Sequence, residues 1–408
     1  MKTAIVHDWL ITYSGAERVL EEIIKLYPDA DLYSLLDFIP PDKRDFIMNK
    51  PVKTSFLQKF PFAKKKYRSF LPFMPLAIEQ FDMSEYDLVI SSNHAVAKGV
   101  ITGPNQLHIC MCYSPIRYAW DLTHHYLQEA GLTRGLRGWI AKYILHKIRM
   151  WDCRTANGVD HFIAISDYIA NRIKKTYRRE STVIFPPVDT EHYSLNGEKD
   201  DFYLMASRLV PYKNTRLVVE AFSKMPDKKL IVIGDGPEMA RVKCKAGPNV
   251  NIIGYQPPVE LKKYMQRAKA LIYAAEEDFG IVPVEAQACG TPVIAYGRGG
   301  TLETVVEGTS GIFFYNLAVS DIVDIIERFE SVKDQFDPEK IRANSLRFST
   351  ERFRTEFKSY VDEKYENYFA NKKHRDTLPE GCERLGEDIK ANDSVKIQNK
   401  ASIDEETL

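Results

Sequence analysis

The chain has 408 residues with 44% hydrophobic content, enough for two domains that each bury a core, and no apolar run reaches the roughly 18 residues needed to span a bilayer. Lysine plus arginine equals aspartate plus glutamate at 56 each, so global charge gives no reason to expect a nucleic-acid partner. Scattered cysteines with no zinc-ligand spacing, and no secretory leader, predict reduced thiols and a cytoplasmic protein.

Residues 2–8 read as a first strand, followed by a loop through Tyr13, Ser14, Gly15 and Ala16 and a helix spaced by Val19, Ile23 and Ile24. That order opens a doubly wound α/β domain. Further buried strands are predicted at 86–90, 108–112, 161–165 and 182–185, and Pro186-Pro187 closes the first half. A second series falls at 201–205, 229–234, 250–253, 270–273 and 292–295. Strands alternating with helical patterns in both halves predict two similar layered domains, 1–190 and 198–351. Residues 352–370 read as a terminal helix that completes the first domain, with Phe353, Phe357, Tyr360 and Tyr365 available for packing. From 371 onward the composition turns polar, with Pro379, Gly381 and Gly386 breaking any period, and a disordered tail is predicted.

The most informative block lies between Glu277 and Glu285. Residues 269–275 read as a short buried strand, which puts Glu277 on its outgoing loop. Beyond Gly280 the spacing of Val284 and Ala288 suits a helix, so Phe279, Gly280 and Ile281 offer backbone N–H groups that attract an anion such as phosphate. Arg208 and Lys213 follow the first strand of the second half. Two cations on one loop can clamp a diphosphate, Arg208 through its planar fork and Lys213 as a point charge, or they can form a solvated basic loop. Open α/β sheets bind ligands at the carboxyl ends of their strands, which favours the first reading. Gly234-Asp235-Gly236-Pro237 is a tight turn that admits either a ligand or a neighbouring backbone.

The order Gly15-Ala16-Glu17, Arg208 with Lys213, Gly234-Asp235-Gly236, Glu277 with Glu285, and Gly299-Gly300 with Glu303 resembles the retaining GT-B glycosyltransferases of family 4, over about residues 1 to 370. Within that family, Ala16-Glu17-Arg18-Val19, the segment 114–120 (Ser-Pro-Ile-Arg-Tyr-Ala-Trp) and the segment 185–189 (Phe-Pro-Pro-Val-Asp) are most similar to mannosyltransferases of bacterial O-antigen synthesis. The resemblance implies two Rossmann-like doubly wound domains facing each other across a cleft, with a C-terminal helix crossing back. It implies transfer of mannose from GDP-mannose to a lipid-linked oligosaccharide in surface polysaccharide synthesis. Arg208 and Lys213 then match the diphosphate pair, Glu277 the contact to the donor sugar, and Glu285 the acceptor of ribose hydroxyl bonds. Gly15, Ala16, Gly234, Phe279, Gly280 and Ile281 fall on the donor side. No cofactor and no metal are expected, since the cations neutralise the diphosphate and Asp29-Ala30-Asp31, the one Asp-x-Asp, lies far from the predicted cleft loops. The alternatives are a non-catalytic nucleotide-sugar-binding protein or another enzyme of this fold, such as a nucleotide-sugar epimerase. No glycine-rich dinucleotide fingerprint follows the first strand.

One position departs from the family pattern. Where many members carry a histidine at the end of the 108–112 strand, this chain has Tyr113, which either faces the sugar or acceptor or closes the strand as a buried residue. His94, after another strand, faces the cleft or is structural. Two segments bear on location. Lys59, Lys64, Lys65, Lys66 and Arg68 alternate with Phe60, Phe62, Tyr67, Phe70, Leu71 and Phe73, a mixture that suits an anionic lipid surface or an inward-packed aromatic loop. The stripe of Trp139, Ile140, Tyr143, Ile144, Ile148 and Trp151 is expected to be core, beside the basic Lys142, Lys147 and Arg149. A lipid-linked acceptor makes peripheral contact with the inner membrane's cytoplasmic face an expectation.

Overall fold

The computed structural model describes the backbone of residues 1–195 and 197–376. It comprises two units: residues 1–358, which hold both sheets, and the chain from 359, described to Asp376 as the continuation of a helix.

The first sheet contains β1 (Thr3–His7), β2 (Asp31–Ser34), β3 (Val52–Thr54), β4 (Leu88–Asn93), β5 (Leu107–Cys112), β6 (His161–Ala164) and β7 (Ser181–Val183). Its order is β3-β2-β1-β4-β5-β6-β7, with every pairing parallel. The second contains β8 (Tyr203–Ala206), β9 (Leu230–Ile233), β10 (Val250–Gly254), β11 (Ala270–Tyr273), β12 (Val293–Tyr296) and β13 (Gly311–Phe314), in the parallel order β10-β9-β8-β11-β12-β13. Central parallel strands are covered on both faces and therefore read as continuous apolar runs, as β1, β5, β8 and β11 do. The second sheet shows this well: Tyr203, Met205 and Ile272 join the core on one side, Leu204, Leu271 and Tyr273 that on the other.

Strands β2, β3 and β13 escape the sequence reading. The first two are three or four residues long and carry Asp31 and Lys53, so neither presents the apolar run that marks a buried strand, whereas β13 is a fully buried apolar run, Gly-Ile-Phe-Phe, that the sequence reading passed over.

In each sheet the order reverses once, between β1 and β4 and between β8 and β11. The crevice outside the carboxyl ends of the strands at such a reversal is where open parallel sheets take ligands. The segments leaving β4, β8 and β11 carry His94, Arg208 with Lys213, and Glu277 respectively.

The last helix is Thr350–Asp376. Phe353 and Phe357 are fully buried with rings 5.4 Å apart, Arg354 Nε lies 2.5 Å from Glu22 Oε2, and Arg352 donates to the Phe185 carbonyl at 2.8 Å. The helix extends past residue 371, where a polar tail was expected to start, because no proline or glycine interrupts the sequence before Pro379. The rest of the expected tail, 377–408, lies outside the described residues.

The aromatic segments also divide differently from expectation. Phe60, Tyr67, Phe70 and Leu71 pack inward, whereas Phe62 and Phe73 are exposed. In the helix Gly135–Thr155 the expected core stripe fails for Trp139, Ile140 and Tyr143, which are all exposed; Ile148 is buried. The second half of this helix packs against Ile116 and Ala119.

Candidate active site

At the reversal of the second sheet, the loop leaving β8 makes a short turn, Pro211–Lys213, that carries Lys213 inward to 8% exposure. Its Nζ lies 2.5 Å from Glu277 Oε1 and 3.3 Å from the Tyr273 hydroxyl, and 5.1 Å from the Tyr273 ring centre. Tyr273 donates its hydroxyl to the other oxygen of Glu277. Burial would raise the Glu277 carboxyl, but Lys213 and Tyr273, with Arg117 beyond them, hold it below the usual carboxylate range. Arg208, on the same loop, is exposed. Of the two cations expected on this loop, Lys213 packs against Glu277 and Tyr273 and Arg208 stays exposed.

Glycines set the backbone of this cluster. Gly234 has φ +136°, and a Cβ there would lie 1.8 Å from the Ser207 carbonyl oxygen. The Gly234-Asp235-Gly236 turn brings its backbone close to that of the Arg208 loop, which a side chain at Gly234 would prevent. Gly299 has φ +71°, a Cβ there would lie 2.4 Å from the Glu277 carbonyl oxygen, and the Gly300 N–H donates to that oxygen at 2.7 Å. The Gly299-Gly300 pair therefore holds the Glu277 main chain in place.

The helix Ile281–Ala288 starts at Gly280, and Phe279 before it is buried between Phe185 and Phe348, at 5.9 and 5.4 Å. Glu285, one turn in, is 2% exposed, and its Oε1 lies 2.5 Å from a guanidinium nitrogen of Arg18. Arg18 belongs to the helix Gly15–Leu26 of the first domain. Gly15 at the start of that helix rests on Ile281, where an added Cβ would be 3.3 Å from Cδ1. Gly15, Ala16, Ile281 and Glu285 are accordingly brought together, and Glu285 meets an arginine that sequence reasoning assigned no role.

On the first-domain wall, Asp8 follows β1 and is fully buried. Its two oxygens accept from the backbone N–H groups of His94, Ala95, Val96 and Ala97 at 2.6 to 3.0 Å. Asp8 Oδ2 also lies 2.9 Å from His94 Nδ1. Burial would raise the Asp8 carboxyl, but His94 and His7 hold it far below the usual range. Burial likewise disfavours a charged His94, yet Asp8 outweighs it and raises the imidazole pKa. The His94 side chain keeps 30% exposure and takes the Trp9 ring edge-on at 4.5 Å. Tyr113 is buried, with its hydroxyl 2.8 Å from Ser92 Oγ and donating to the Ala16 carbonyl at 3.2 Å. Ser92 Oγ continues to His7 Nδ1 at 2.9 Å, and His7 Nε2 lies 3.5 Å from Glu17. Tyr113 is thus the buried closure of β5 rather than an open donor.

Several residues without an assigned role join the two domains. Asp278 meets Arg117, and Arg172 at 3.1 Å; burial raises its carboxyl above the ordinary range even though both arginines pull it down. Ser166 Oγ donates to the Asp278 carbonyl at 2.6 Å, and Glu303 accepts from the N–H groups of Asp167 and Tyr168 at 2.7 and 2.9 Å, at the start of the helix Asp167–Tyr177. Arg18, Arg117 and Glu303 all sit inside the motifs that carried the family resemblance, a signal that could have found them. Arg172 sits on a helix surface with no local mark.

Residues 189–345, which include Arg208, Lys213, Glu277 and Glu285, match the family model described as Glycosyl transferases group 1. An uncharacterized glycosyltransferase of Methanocaldococcus jannaschii is 28% identical over 158 residues, 38% of this chain and 44% of its own length. The lipopolysaccharide 1,2-N-acetylglucosaminetransferase of Salmonella typhimurium is 29% identical over 216 residues, 46% of this chain and 55% of its own. The chain thus spans about half the length of the curated relatives it matches. Among solved structures, Anabaena HepE in complex with UDP and glucose aligns at a TM-score of 0.65 and 18% identity, covering 89% of this chain and 99% of that one. Sucrose-phosphate synthase from Thermosynechococcus elongatus aligns at 0.69 and 15%, covering 90% and 100%. The two Rossmann-like parallel-sheet domains match the GT-B glycosyltransferase fold of these neighbours.

Proposed function

We propose that this chain is a retaining glycosyltransferase that moves mannose from GDP-mannose onto a lipid-linked oligosaccharide in bacterial surface polysaccharide synthesis. The observation that carries the reading is the buried Lys213–Glu277 pair beside the exposed Arg208, at the reversal point of the second sheet. In such a transfer the bond between the anomeric carbon and the diphosphate oxygen breaks, and the departing diphosphate gains negative charge. Arg208, Lys213 and the N–H groups at Phe279, Gly280 and Ile281 stabilise that charge without a metal ion or other cofactor. An acceptor hydroxyl oxygen bonds to the anomeric carbon on the face the diphosphate leaves, and its proton passes to the departing oxygen. Glu277 positions the sugar by accepting its hydroxyl bonds, and Glu285, swung from Arg18, accepts those of the ribose. Gly15 and Ala16 line the donor phosphates from the opposite domain. His94, held by Asp8 and partly exposed, takes the sugar-facing place that the buried Tyr113 leaves open.

A nucleotide-sugar donor is supported by the neighbour solved with UDP and glucose, and mannose by the resemblance of segments 114–120 and 185–189. A panel of nucleotide sugars tested by thermal and urea unfolding separates the possibilities. GDP-mannose at 100 times its dissociation constant is expected to add about 2.7 kcal/mol. Stabilisation by UDP sugars alone overturns the mannosyl assignment, and stabilisation by none overturns the site. Donor binding that never leads to transfer identifies a binding protein. A product whose anomeric configuration is inverted by NMR removes the retaining mechanism.

A further inference from the structure

Acidic and basic residues balance over the chain, yet two stretches of the first domain contain no acidic residue at all: 46–78 and 130–151. On the first, Lys59, Lys64, Lys65, Lys66 and Arg68 are exposed; on the second, Arg134, Arg137, Lys142 and Lys147 are. Among the described residues none of these nine cations meets a carboxylate within ion-pair distance. The two stretches lie side by side. Leu71 packs into the cluster around Ile148, and Glu79, directly after the first stretch, accepts from Trp151 Nε1 at 2.7 Å and from Arg154 at 2.5 Å.

Large apolar side chains stand among the cations. The amino-terminal half of the helix Gly135–Thr155 carries Leu136 at 75% exposure, Trp139 at 64%, and Ile140 and Tyr143 also exposed, with the Trp139 and Tyr143 rings stacked 5.8 Å apart at 8°. Phe62, at 71% exposure, with Phe73 and Leu76, adds a second apolar group on the neighbouring stretch. The first stretch also reaches the candidate site: Tyr67 lies 5.3 Å from the Trp9 ring, which in turn contacts His94.

We infer that this face docks onto a bilayer surface bearing anionic headgroups, with the apolar side chains entering the interface and the cations on the headgroups. Uncompensated cations interleaved with exposed aromatics match that surface in both charge and polarity. The inference deepens the function proposed above and rests on it for the purpose of docking, which brings the His94 wall to a lipid-linked acceptor.

The test uses the full chain, without nucleotide sugar, sedimented with vesicles of phosphatidylcholine alone or with added phosphatidylglycerol. Binding is expected at least about tenfold stronger to the anionic vesicles, and lost at about 1 M salt, where the Debye length is near 3 Å. Trp139→Glu with Tyr143→Glu, and separately Lys64→Glu with Lys65→Glu, are each expected to weaken binding about tenfold while leaving the circular dichroism spectrum unchanged. Absence of vesicle binding, equal binding to both vesicle types, or binding unaffected by these changes overturns the inference. So does tighter binding to single-stranded DNA, or a solution dimer that these substitutions split in place of any vesicle binding. Donor-induced stabilisation, measured without vesicles, reports on the proposed function separately.

Discussion

Lys213 and Glu277 form a charged pair at the centre of the candidate site. Each offsets the other's burial, and Tyr273 satisfies the second carboxylate oxygen, so removal of either charge leaves an unmatched ion at the centre of the candidate site. Lys213→Ala and Glu277→Ala are each expected to lower transfer by about 10²- to 10³-fold, by loss of a charge contact to the reacting groups, with the folded circular dichroism signal retained. Near-normal turnover in either variant removes the assignment. Gly234 makes a stability prediction of a different kind. Alanine there meets both a positive φ and the Ser207 carbonyl, so Gly234→Ala is expected to cost roughly 1–3 kcal/mol or more in urea unfolding. Gly158→Ala, where nothing lies within 4 Å, is expected to stay within about 0.5 kcal/mol.

At the scale of elements, the helix Val319–Val332 is tied to the amino-terminal ends of the central strands β8 and β11 by Glu330, which accepts from Tyr203 at 2.6 Å, Lys269 at 2.9 Å and, next to the helix end, Lys333 at 2.9 Å. Burial would raise this carboxyl, but the three donors outweigh it and lower it to about 2. A depressed carboxyl contributes stability that is present above its unfolded pKa and lost as pH falls through the folded one. The stability difference between the native chain and Glu330→Gln, followed by urea midpoint, is therefore expected to hold above pH 4.5 and fade towards pH 2. A constant difference across that window counts against the linkage.

For the whole molecule, three acidic residues that join the domains lie close to Glu277 in sequence. Asp278 takes Arg117 and Arg172, Glu303 caps the facing helix, and Glu285 holds Arg18, all within thirty residues of Glu277 in sequence. The residues proposed to contact the donor and the residues that join the domains are thus neighbours in sequence. Arg117→Ala combined with Arg172→Ala is expected to speed amide hydrogen exchange in 274–280 and 166–170 while β1 and β8 keep their protection. Uniform acceleration across both sheets indicates general destabilisation instead.

How much of this was legible in sequence depended on whether the signal was local. Residues 270–273 announce a buried strand because a central parallel strand is apolar on both faces, and the loops at Arg208, Lys213 and Glu277 follow such strands, so their shared sheet end could be read directly. The short β2 and β3 could not be read, since each carries a charged residue and their pairing comes from neighbours far along the chain, whereas β13 has a local apolar signal that was missed. Trp139 and Tyr143 have the spacing of a core stripe, but whether a helical stripe is covered depends on what packs against it, and the first half of that helix lacks a cover among the described residues. The sequence by itself determined two α/β halves and the cations and carboxylates that end their strands, because strand periodicity and turn chemistry act over a few residues. Only the tertiary structure decided that Arg18 reaches Glu285, that Gly234 serves its neighbouring loop, that Tyr113 is enclosed while His94 stays open beside Asp8, and which aromatics face out. Those outcomes depend on distances between segments tens to hundreds of residues apart, which no local pattern encodes.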